Sequence, residues 1–372
     1  LKMDPVELRL KNLTTLSQAR DNIPYTSTGF KECLEEGAKA FGWQEARNKP
    51  KGKGPIVRGV GMAGATWAAG GGGPPSTAIV RFFADGSVNL NMGASDIGCG
   101  TKTVMAQIVS EELGVALESI QVEHADTATT QFATASGGSK TIPTESPAIR
   151  AAAIDCRNQI MQMAARQLEV DVSDLRMEKD EIVSSSSPDK KVKVGEMPEF
   201  RRTRVVVGVG YRGPNPEGKA IQPFAAQFCE VEVNKRTGEV KVLRFLGAHD
   251  SGRVMNRKTY DNQVYGGIVM GIGFGMIERR VLDHGQTGKM VNLNWHDYKI
   301  PTAMDVPDDI TSLPIDLNDT ECNTAGAKGL GEPVTIPTAS AIANAVYHAT
   351  GVRITQNVLN PTHLALMLSD RK

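Results

Sequence analysis

Three glycine-rich segments of the chain each stand immediately before a predicted helix, at residues 93–101, 135–144 and 325–333. Glycine permits positive φ angles and lets a ligand approach the backbone closely. The first N–H groups of a helix lack partners within the helix and carry partial positive charge, so each junction could bind an anion. Together the three junctions could enclose a large polar ligand that carries phosphate. Each of them could also be an ordinary turn between a strand and a helix.

Glu332 is the most distinctive carboxylate, because Pro333 follows it directly. Proline restricts the preceding residue to an extended conformation and is well suited to the first position of a helix. Glu332 is then held in one direction, and the helix start favours its ionised form. These properties are those of a positioned general base. A charged cap of the following helix is the alternative interpretation, and the local sequence does not decide between the two.

The glycine-rich segments do not contain a complete nucleotide-binding motif. Gly138-Ser139-Lys140-Thr141 lacks the spacing of a P-loop, because Ser139 separates the glycine from the lysine. Residues 326–331 do not match GxGxxG, and no strand of the Rossmann type precedes them. Nucleotide hydrolysis is therefore disfavoured.

The hydrophobic pattern predicts a mixed α/β (α+β) fold with two similar lobes, each made of a hairpin and helices. We predict an N-terminal helical segment (1–53), a first lobe (54–200) and a second lobe (201–372) that carries Glu332. Asp4 and Pro5 indicate the start of a helix at residues 1–13. Internal glycines in a helix at 256–279 indicate close packing against another backbone. The other predicted elements are hairpins at 78–92 and 224–249, a strand at 120–124 and helices at 29–42, 103–113, 147–168 and 334–350.

The composition is that of a globular protein and limits the classes of partner. In the 372 residues, 42 Lys and Arg balance 42 Asp and Glu, so the basic surface that nucleic-acid binding requires is not expected. The five cysteines and six histidines have no paired spacing, which disfavours a disulfide framework, a zinc site and an iron–sulfur cluster. The apolar runs are shorter than a membrane span, and the N-terminus does not resemble a signal peptide. Because the chain begins at Leu1, we expect a fragment or a processed chain.

Seven motifs follow one another along the chain. They are Asp4-Pro5-Val-Glu-Leu-Arg-Leu-Lys-Asn12, Asp85-Gly86-Ser87-Val88, Asp96-Ile-Gly98-Cys99-Gly100, Gly138-Ser139-Lys140-Thr141, Gln263-Val-Tyr-Gly-Gly-Ile-Val-Met270-Gly271, Tyr298-Lys-Ile-Pro301 and Gly329-Leu-Gly331-Glu332-Pro333. In this order they resemble the molybdenum-binding subunit of the xanthine oxidase family of molybdenum hydroxylases, and the last motif, followed by a helix, is the most specific. Loops similar to FGGK and AYRG, which belong to the first half of such a subunit, do not occur, so the resemblance is to the C-terminal half.

This resemblance implies that Glu332 is the catalytic residue, the base that deprotonates a water-derived nucleophile. It also implies a molybdenum–pterin cofactor, either molybdopterin or molybdopterin cytosine dinucleotide, whose dithiolene holds the metal without a protein ligand. Cys99 and Met270 stand where the xanthine enzymes have glutamines, so amide hydrogen bonds to the pterin are lost there. A reactive thiol at a helix start is an alternative role for Cys99. The implied cofactor-binding residues are Ile97, Gly98, Cys99, Gly100, Thr101, Ser139, Lys140, Thr141, Ile142, Pro143, Thr144, Met270 and Gly331.

The implied function is the oxidation of an aldehyde or an aromatic N-heterocycle with oxygen derived from water. Electrons would pass to Fe-S and FAD groups, which we expect only on partner chains, and a further chain or segment would carry the N-terminal half of the molybdenum subunit. A non-catalytic subunit that binds or assembles the cofactor is the alternative. We expect a cytoplasmic location, or a periplasmic one through the signal of a partner, with no nucleic acid and no membrane span involved.

Overall fold

The computed structural model describes residues 1–68, 76–178 and 181–369, and they form two units. Unit 1 contains the described residues within 1–69, 218–317 and 330–372, and unit 2 those within 70–217 and 318–329. These boundaries differ from the predicted ones at residues 54 and 201. The difference arises because a strand at Ile56–Thr66 pairs with a strand at Phe224–Asn234, far along the chain.

Most strands belong to two four-stranded sheets, one in each unit. The sheet of unit 1 has the order β13-β12-β11-β3, and that of unit 2 has the order β10-β4-β5-β6. Smaller sheets contain β1-β2 and β7-β8-β9. The strands are β1 (Leu16–Ser17), β2 (Ile23–Pro24), β3 (Ile56–Thr66), β4 (Thr77–Phe83), β5 (Val88–Met92), β6 (Ile120–His124), β7 (Leu175–Glu178), β8 (Glu181–Ser184), β9 (Lys191–Lys193), β10 (Val205–Tyr211), β11 (Phe224–Asn234), β12 (Val240–Asp250) and β13 (Asp309–Ile315).

The helices pack on these sheets. In unit 1, one hydrophobic core lies where α7, α8 and α9 cover the sheet, and a second one contains residues of α1, α2 and α3. Within the described residues, none of the helices has the length and apolar character needed to cross a membrane. The helices are α1 (Pro5–Lys11), α2 (Phe30–Phe41), α3 (Trp43–Asn48), α4 (Thr101–Leu113), α5 (Thr141–Leu168), α6 (Pro198–Thr203), α7 (Arg257–Ile272), α8 (Gly331–Thr350) and α9 (Pro361–Ser369).

Both units repeat one order of elements. In unit 2, the hairpin β4–β5 is followed by α4, by β6 parallel to β5, and by α5, with β10 as the strand next to β4. In unit 1, the hairpin β11–β12 is followed by α7, by β13 parallel to β12, and by α8, with β3 as the strand next to β11. The two lobes predicted from the sequence are therefore similar in topology.

In each unit, two glycines on the outermost strand allow a helix to approach the strand backbone. A Cβ on Gly59 of β3 would lie 2.8 Å from the Cα of Ala349 in α8, and Gly61 contacts the same helix. A Cβ on Gly208 of β10 would lie 2.6 Å from the backbone nitrogen of Cys156 in α5. Because real Cβ atoms do not approach this closely, larger residues at these positions would force the helix away. The strand therefore determines how closely α8 and α5 are seated.

The three helices that follow glycine-rich segments begin earlier than predicted, and α4 does so by two residues, at Thr101. Helix α5 begins at Thr141 instead of at residue 147, and Pro147 lies inside it. Proline cannot donate to the carbonyl four residues before it. The carbonyl of Pro143 instead accepts a hydrogen bond from Arg212 Nε at 3.1 Å, so the helix continues through the proline.

Helix α8 begins at Gly331, so the prediction of an extended Glu332 was wrong. Glu332 lies in the first turn of the helix, where the missing N–H of Pro333 disturbs no intrahelical bond.

Helix α7 ends at Ile272 and a π-helical turn follows it, whereas we predicted one helix to residue 279. Gly267 of α7 packs closely against α8, because a Cβ on it would lie 2.6 Å from Val334 Cβ, and Gly271 is similarly close to Thr338. A Cβ on Gly266 would meet nothing within 4 Å, so the predicted close packing does not hold for every glycine of the helix.

Candidate cofactor-binding site

The first glycine-rich loop ends on Gly100, the N-cap of α4, and is organised by Asp96. Gly98 and Gly100 have φ angles of 98° and 83°. The Asp96 carboxylate accepts hydrogen bonds from the N–H groups of Gly98 (2.9 Å), Gly100 (3.2 Å) and Lys102 (3.0 Å). Partial burial raises the pKa of Asp96, but these backbone donors together outweigh it and lower the pKa below its ordinary value.

Asp96 was not among the predicted site residues, although an aspartate two residues before a glycine is typical of an Asx turn. Its carboxylate already compensates the partial positive charge at the start of α4, which disfavours a phosphate at the same N–H groups. Two other predicted residues of this loop, Ile97 and Cys99, have side chains that solvent can reach. Ile97 is 70% exposed. Cys99 is partly exposed, and its Sγ lies 3.0 Å from Thr101 Oγ1.

The second glycine-rich loop meets the first one within unit 2. Ser136 Oγ donates to the carbonyl of Ser95 at 3.0 Å, which joins the two loops before α4 and α5 begin. Gly138 and Ser139 have φ angles of 67° and 55°, so the chain turns sharply there. Thr144, in the first turn of α5, is buried, and its Oγ1 has no hydrogen-bond partner among the described residues.

Glu145, which sequence analysis missed, is a buried carboxyl group in the same helical turn. Ser76 Oγ donates to its Oε2 at 2.7 Å, whereas its Oε1 has no partner among the described residues. Burial raises the pKa of Glu145 to about 6, against a smaller lowering by the Ser76 hydrogen bond. Arg212 is also buried beside this turn and donates to the carbonyl of Pro143. Nothing in the local sequence distinguishes Glu145 from an ordinary first-turn acid, because its burial is a tertiary effect.

We expect Glu145→Gln to change how stability depends on pH. Because the folded state raises this pKa from 4.5 to about 6, the associated stabilisation is complete below pH 4.5 and is lost as the pH rises through 6. Glutamine cannot ionise, so the variant should gain about 2 kcal/mol relative to the wild type between pH 4.5 and pH 8. Urea unfolding at both pH values measures this gain. Glu118→Gln, at an exposed position of the same unit, is the control, and parallel pH profiles for Glu145→Gln and the wild type would contradict the prediction.

The third glycine-rich segment is anchored in unit 2 by a buried ion pair. Lys328 Nζ lies 3.8 Å from Asp319 Oδ2, and both side chains are almost inaccessible. Arg150 of α5 donates from Nη1 to the carbonyl of Thr324 at 3.1 Å and from Nε to Glu112 of α4 at 2.7 Å. Arg150 therefore joins helices α4 and α5, which follow the first two loops, to the residue just before the third segment.

Glu332 lies near the end of this segment, in the part that belongs to unit 1. It is exposed, and Trp67 Nε1 donates to its Oε2 at 3.2 Å. Gly331 begins the same helical turn, while Met270 lies three residues after Gly267 on the neighbouring helix α7 and is 51% exposed. Since Glu332, Gly331 and Met270 belong to unit 1 and the other predicted residues to unit 2, their convergence on one cofactor stays a prediction.

Other titratable side chains have structural roles. Burial lowers the pKa of His249 to about 3, so it is neutral, and its Nε2 lies 3.2 Å from Gln227 Nε2. His348 Nδ1 accepts from the N–H of Val60 at 3.0 Å, and burial lowers its pKa to about 4. Four of the five free cysteines are buried, and burial raises the pKa of Cys156 to about 12. Among the described residues, no group of three or more His, Cys, Asp or Glu could hold a metal ion.

The fold thus consists of two α/β lobes of the same topology, with glycine-rich segments before α4, α5 and α8. The chain belongs to the molybdopterin cofactor-binding domain family, whose model matches residues 36–307, and thereby to the xanthine oxidase family. The matched residues include the first two glycine-rich loops and Met270 but end before Glu332. The family predicted from the seven motifs is confirmed.

The chain is similar to molybdenum-binding subunits of bacterial oxidoreductases. It is 33% identical to a xanthine dehydrogenase molybdenum-binding subunit of Escherichia coli O157:H7, over 98% of this chain and 49% of the relative. It is 31% identical to an aldehyde oxidoreductase molybdenum-binding subunit of the same organism, over 95% of this chain and 47% of the relative. The chain therefore spans about half the length of these relatives.

Solved structures confirm the predicted fold class. A CO dehydrogenase from Oligotropha carboxidovorans superposes with a TM-score of 0.89 at 24% identity and covers 100% of this chain and 50% of its own. Quinoline 2-oxidoreductase from Pseudomonas putida 86 superposes with a TM-score of 0.78 at 22% identity, over 92% of this chain and 46% of its own.

Proposed function

We propose that the chain is the molybdopterin-binding part of a molybdenum hydroxylase that oxidises an aldehyde or an aromatic N-heterocycle with oxygen derived from water. The observation that carries the proposal is that unit 2 contains the first two glycine-rich loops and residues 325–329 of the third segment, together with buried polar atoms of Thr144 and Glu145 that have no partner among the described residues. Membership of the molybdopterin cofactor-binding domain family supports the chemical class of the ligand.

The residues present fit such a cofactor. Thr144 Oγ1 and Glu145 Oε1 are buried polar atoms without a partner among the described residues, and polar groups of a bound pterin would satisfy them. Gly98 and Gly138 leave the backbone accessible. When bound, the cofactor supplies the metal and a two-electron acceptor. The residues that would hold it are Ile97, Gly98, Cys99, Gly100, Thr101, Ser139, Lys140, Thr141, Ile142, Pro143 and Thr144 in unit 2, with Gly331 and Met270 in unit 1.

Glu332 would act as the general base. Its carboxylate is exposed in the first turn of α8, where the helix start favours negative charge. A carboxylate in this position can accept the proton of the water-derived nucleophile on an Oε atom. Cys99 and Met270 have no side-chain amide, so amide hydrogen bonds to the pterin are not expected at these two positions.

The complete enzyme would contain further chains. A chain or segment equivalent to the other half of the relatives would complete the site, and Fe-S and FAD groups on separate subunits would accept the electrons. We propose a cytoplasmic complex, or a periplasmic one if a partner carries the signal.

The test is to purify the native assembly and to measure molybdenum and released pterin per chain. We expect one cofactor per chain, together with oxidation of an aldehyde or an N-heterocycle that incorporates oxygen-18 from labelled water. Mass spectrometry of the released pterin distinguishes molybdopterin from its cytosine dinucleotide. An assembly without molybdenum contradicts the proposal. Stoichiometric cofactor without turnover on either substrate class favours the non-catalytic assembly subunit instead.

A further inference from the structure

The Glu332 carboxylate is contacted by a side chain that sequence analysis did not consider. Trp67 directly follows β3, and its indole N–H donates to Glu332 Oε2 at 3.2 Å. Both residues belong to unit 1. An indole N–H can only donate, so it pairs with the acceptor Oε2 of the carboxylate.

Two further polar contacts tie α8 to β3, so the Trp67 contact is one of a series. Asn344 Nδ2 donates to the carbonyl of Met62 at 3.0 Å, and His348 Nδ1 accepts from the N–H of Val60 at 3.0 Å. Because β3 is the outermost strand of its sheet, its peptide groups are available to the helix. The position of Trp67 relative to α8 is therefore set by the strand.

Gln227 fixes the backbone of the first turn of α8 from the adjacent strand β11. Its Nε2 donates to the carbonyl of Val334 at 2.6 Å, and Thr338 Oγ1 donates to its Oε1 at 2.7 Å. Gln227 is fully buried, so these bonds are protected from water. With the backbone held, the direction of the Glu332 carboxylate depends on its own side-chain torsions.

We propose that Trp67 is a positioning residue that limits these torsions and aims the carboxylate of Glu332. The inference rests on the proposed function, in which Glu332 is the base. Trp67 acts through Glu332, so its contribution exists only while residue 332 is a carboxylate. The site would then need the indole N–H of Trp67, which directly follows β3, as well as the carboxylate of Glu332 in α8.

The first test uses the purified 372-residue chain and does not depend on the cofactor. Nitrogen-15 labelling of tryptophan gives indole signals from three residues, Trp43, Trp67 and Trp295. The signal that is missing in Trp67→Phe should shift in Glu332→Ala, which removes the acceptor of the indole N–H. The signal of Trp43, whose indole donates to Asp4 at 3.0 Å, should stay in place. An unmoved Trp67 signal overturns the proposal.

The second test uses the assembled enzyme. Trp67→Phe should lower kcat by about 5- to 20-fold, the effect of losing one charge-assisted hydrogen bond, with little change in KM. In a Glu332→Gln background, Trp67→Phe should have no further effect, because the two residues act as one unit. Trp295→Phe, at a side chain that is 81% exposed, is the matched control and should retain activity.

The outcomes separate the two hypotheses. Wild-type turnover in Glu332→Gln overturns the proposed base and the positioning role with it. An inactive Glu332→Gln beside a fully active Trp67→Phe overturns only the positioning role. An equal loss from Trp67→Phe in both backgrounds also overturns it, because Trp67 would then act independently of Glu332.

Discussion

Glu332→Gln in the assembled enzyme should lower kcat by about 10²- to 10⁴-fold, the contribution that a positioned general base makes. Glutamine preserves the size of the side chain, and its amide oxygen can still accept from Trp67 Nε1. What disappears is the ability to take up a proton. Because Glu332 is exposed in the first turn of α8 and outside both hydrophobic cores of unit 1, the variant should fold normally.

The measurement is steady-state turnover, with the molybdenum and pterin content of each preparation determined in parallel. The cofactor content should be unchanged, and the lower turnover can then be assigned to the chemical step. Glu239→Gln, an exposed position just before β12, is the matched control and should keep full activity. Turnover within threefold of the wild type in Glu332→Gln would remove the base assignment.

Local sequence rules predicted the parts of the fold that are determined locally. Asp4 caps α1 by accepting from the N–H of Val6 at 2.8 Å, as the Asp-Pro pair indicates. Hairpin β4–β5 and strand β6 lie where alternation and turn residues place them. The seven motifs also led to the correct family.

The early starts of α5 and α8 were missed because local rules treat prolines as boundaries. Pro147 is accommodated in α5 since Arg212, 65 positions later in the chain, takes the carbonyl that the proline leaves open. Such compensation depends on the tertiary structure, and a short-range sequence pattern does not predict it.

The same reason explains the missed site residues. Asp96 had a local signal, the Asx turn before Gly98. Glu145 and Trp67 had none, because burial against Ser76 and approach to Glu332 are created only when distant segments pack together. Residue types and spacing identify loops that could bind a cofactor. The side chains that contact and orient the residues of those loops come from other parts of the chain.

Lys328→Met should destabilise the protein by about 3–5 kcal/mol, the usual effect of removing one member of a buried ion pair. Asp319 would remain 4% exposed without the cation of Lys328. Methionine retains most of the aliphatic volume, so the loss reflects charge more than packing. The free energy of unfolding in urea at pH 7 measures the effect.

Two comparisons identify the cause. Arg166→Met removes an exposed ion pair with Glu199 at 2.8 Å in the same unit and should change stability by less than about 1 kcal/mol. Asp319→Asn combined with Lys328→Met should recover much of the loss, because neither charge of the pair then stays buried. A change below about 1 kcal/mol in Lys328→Met alone would contradict the prediction.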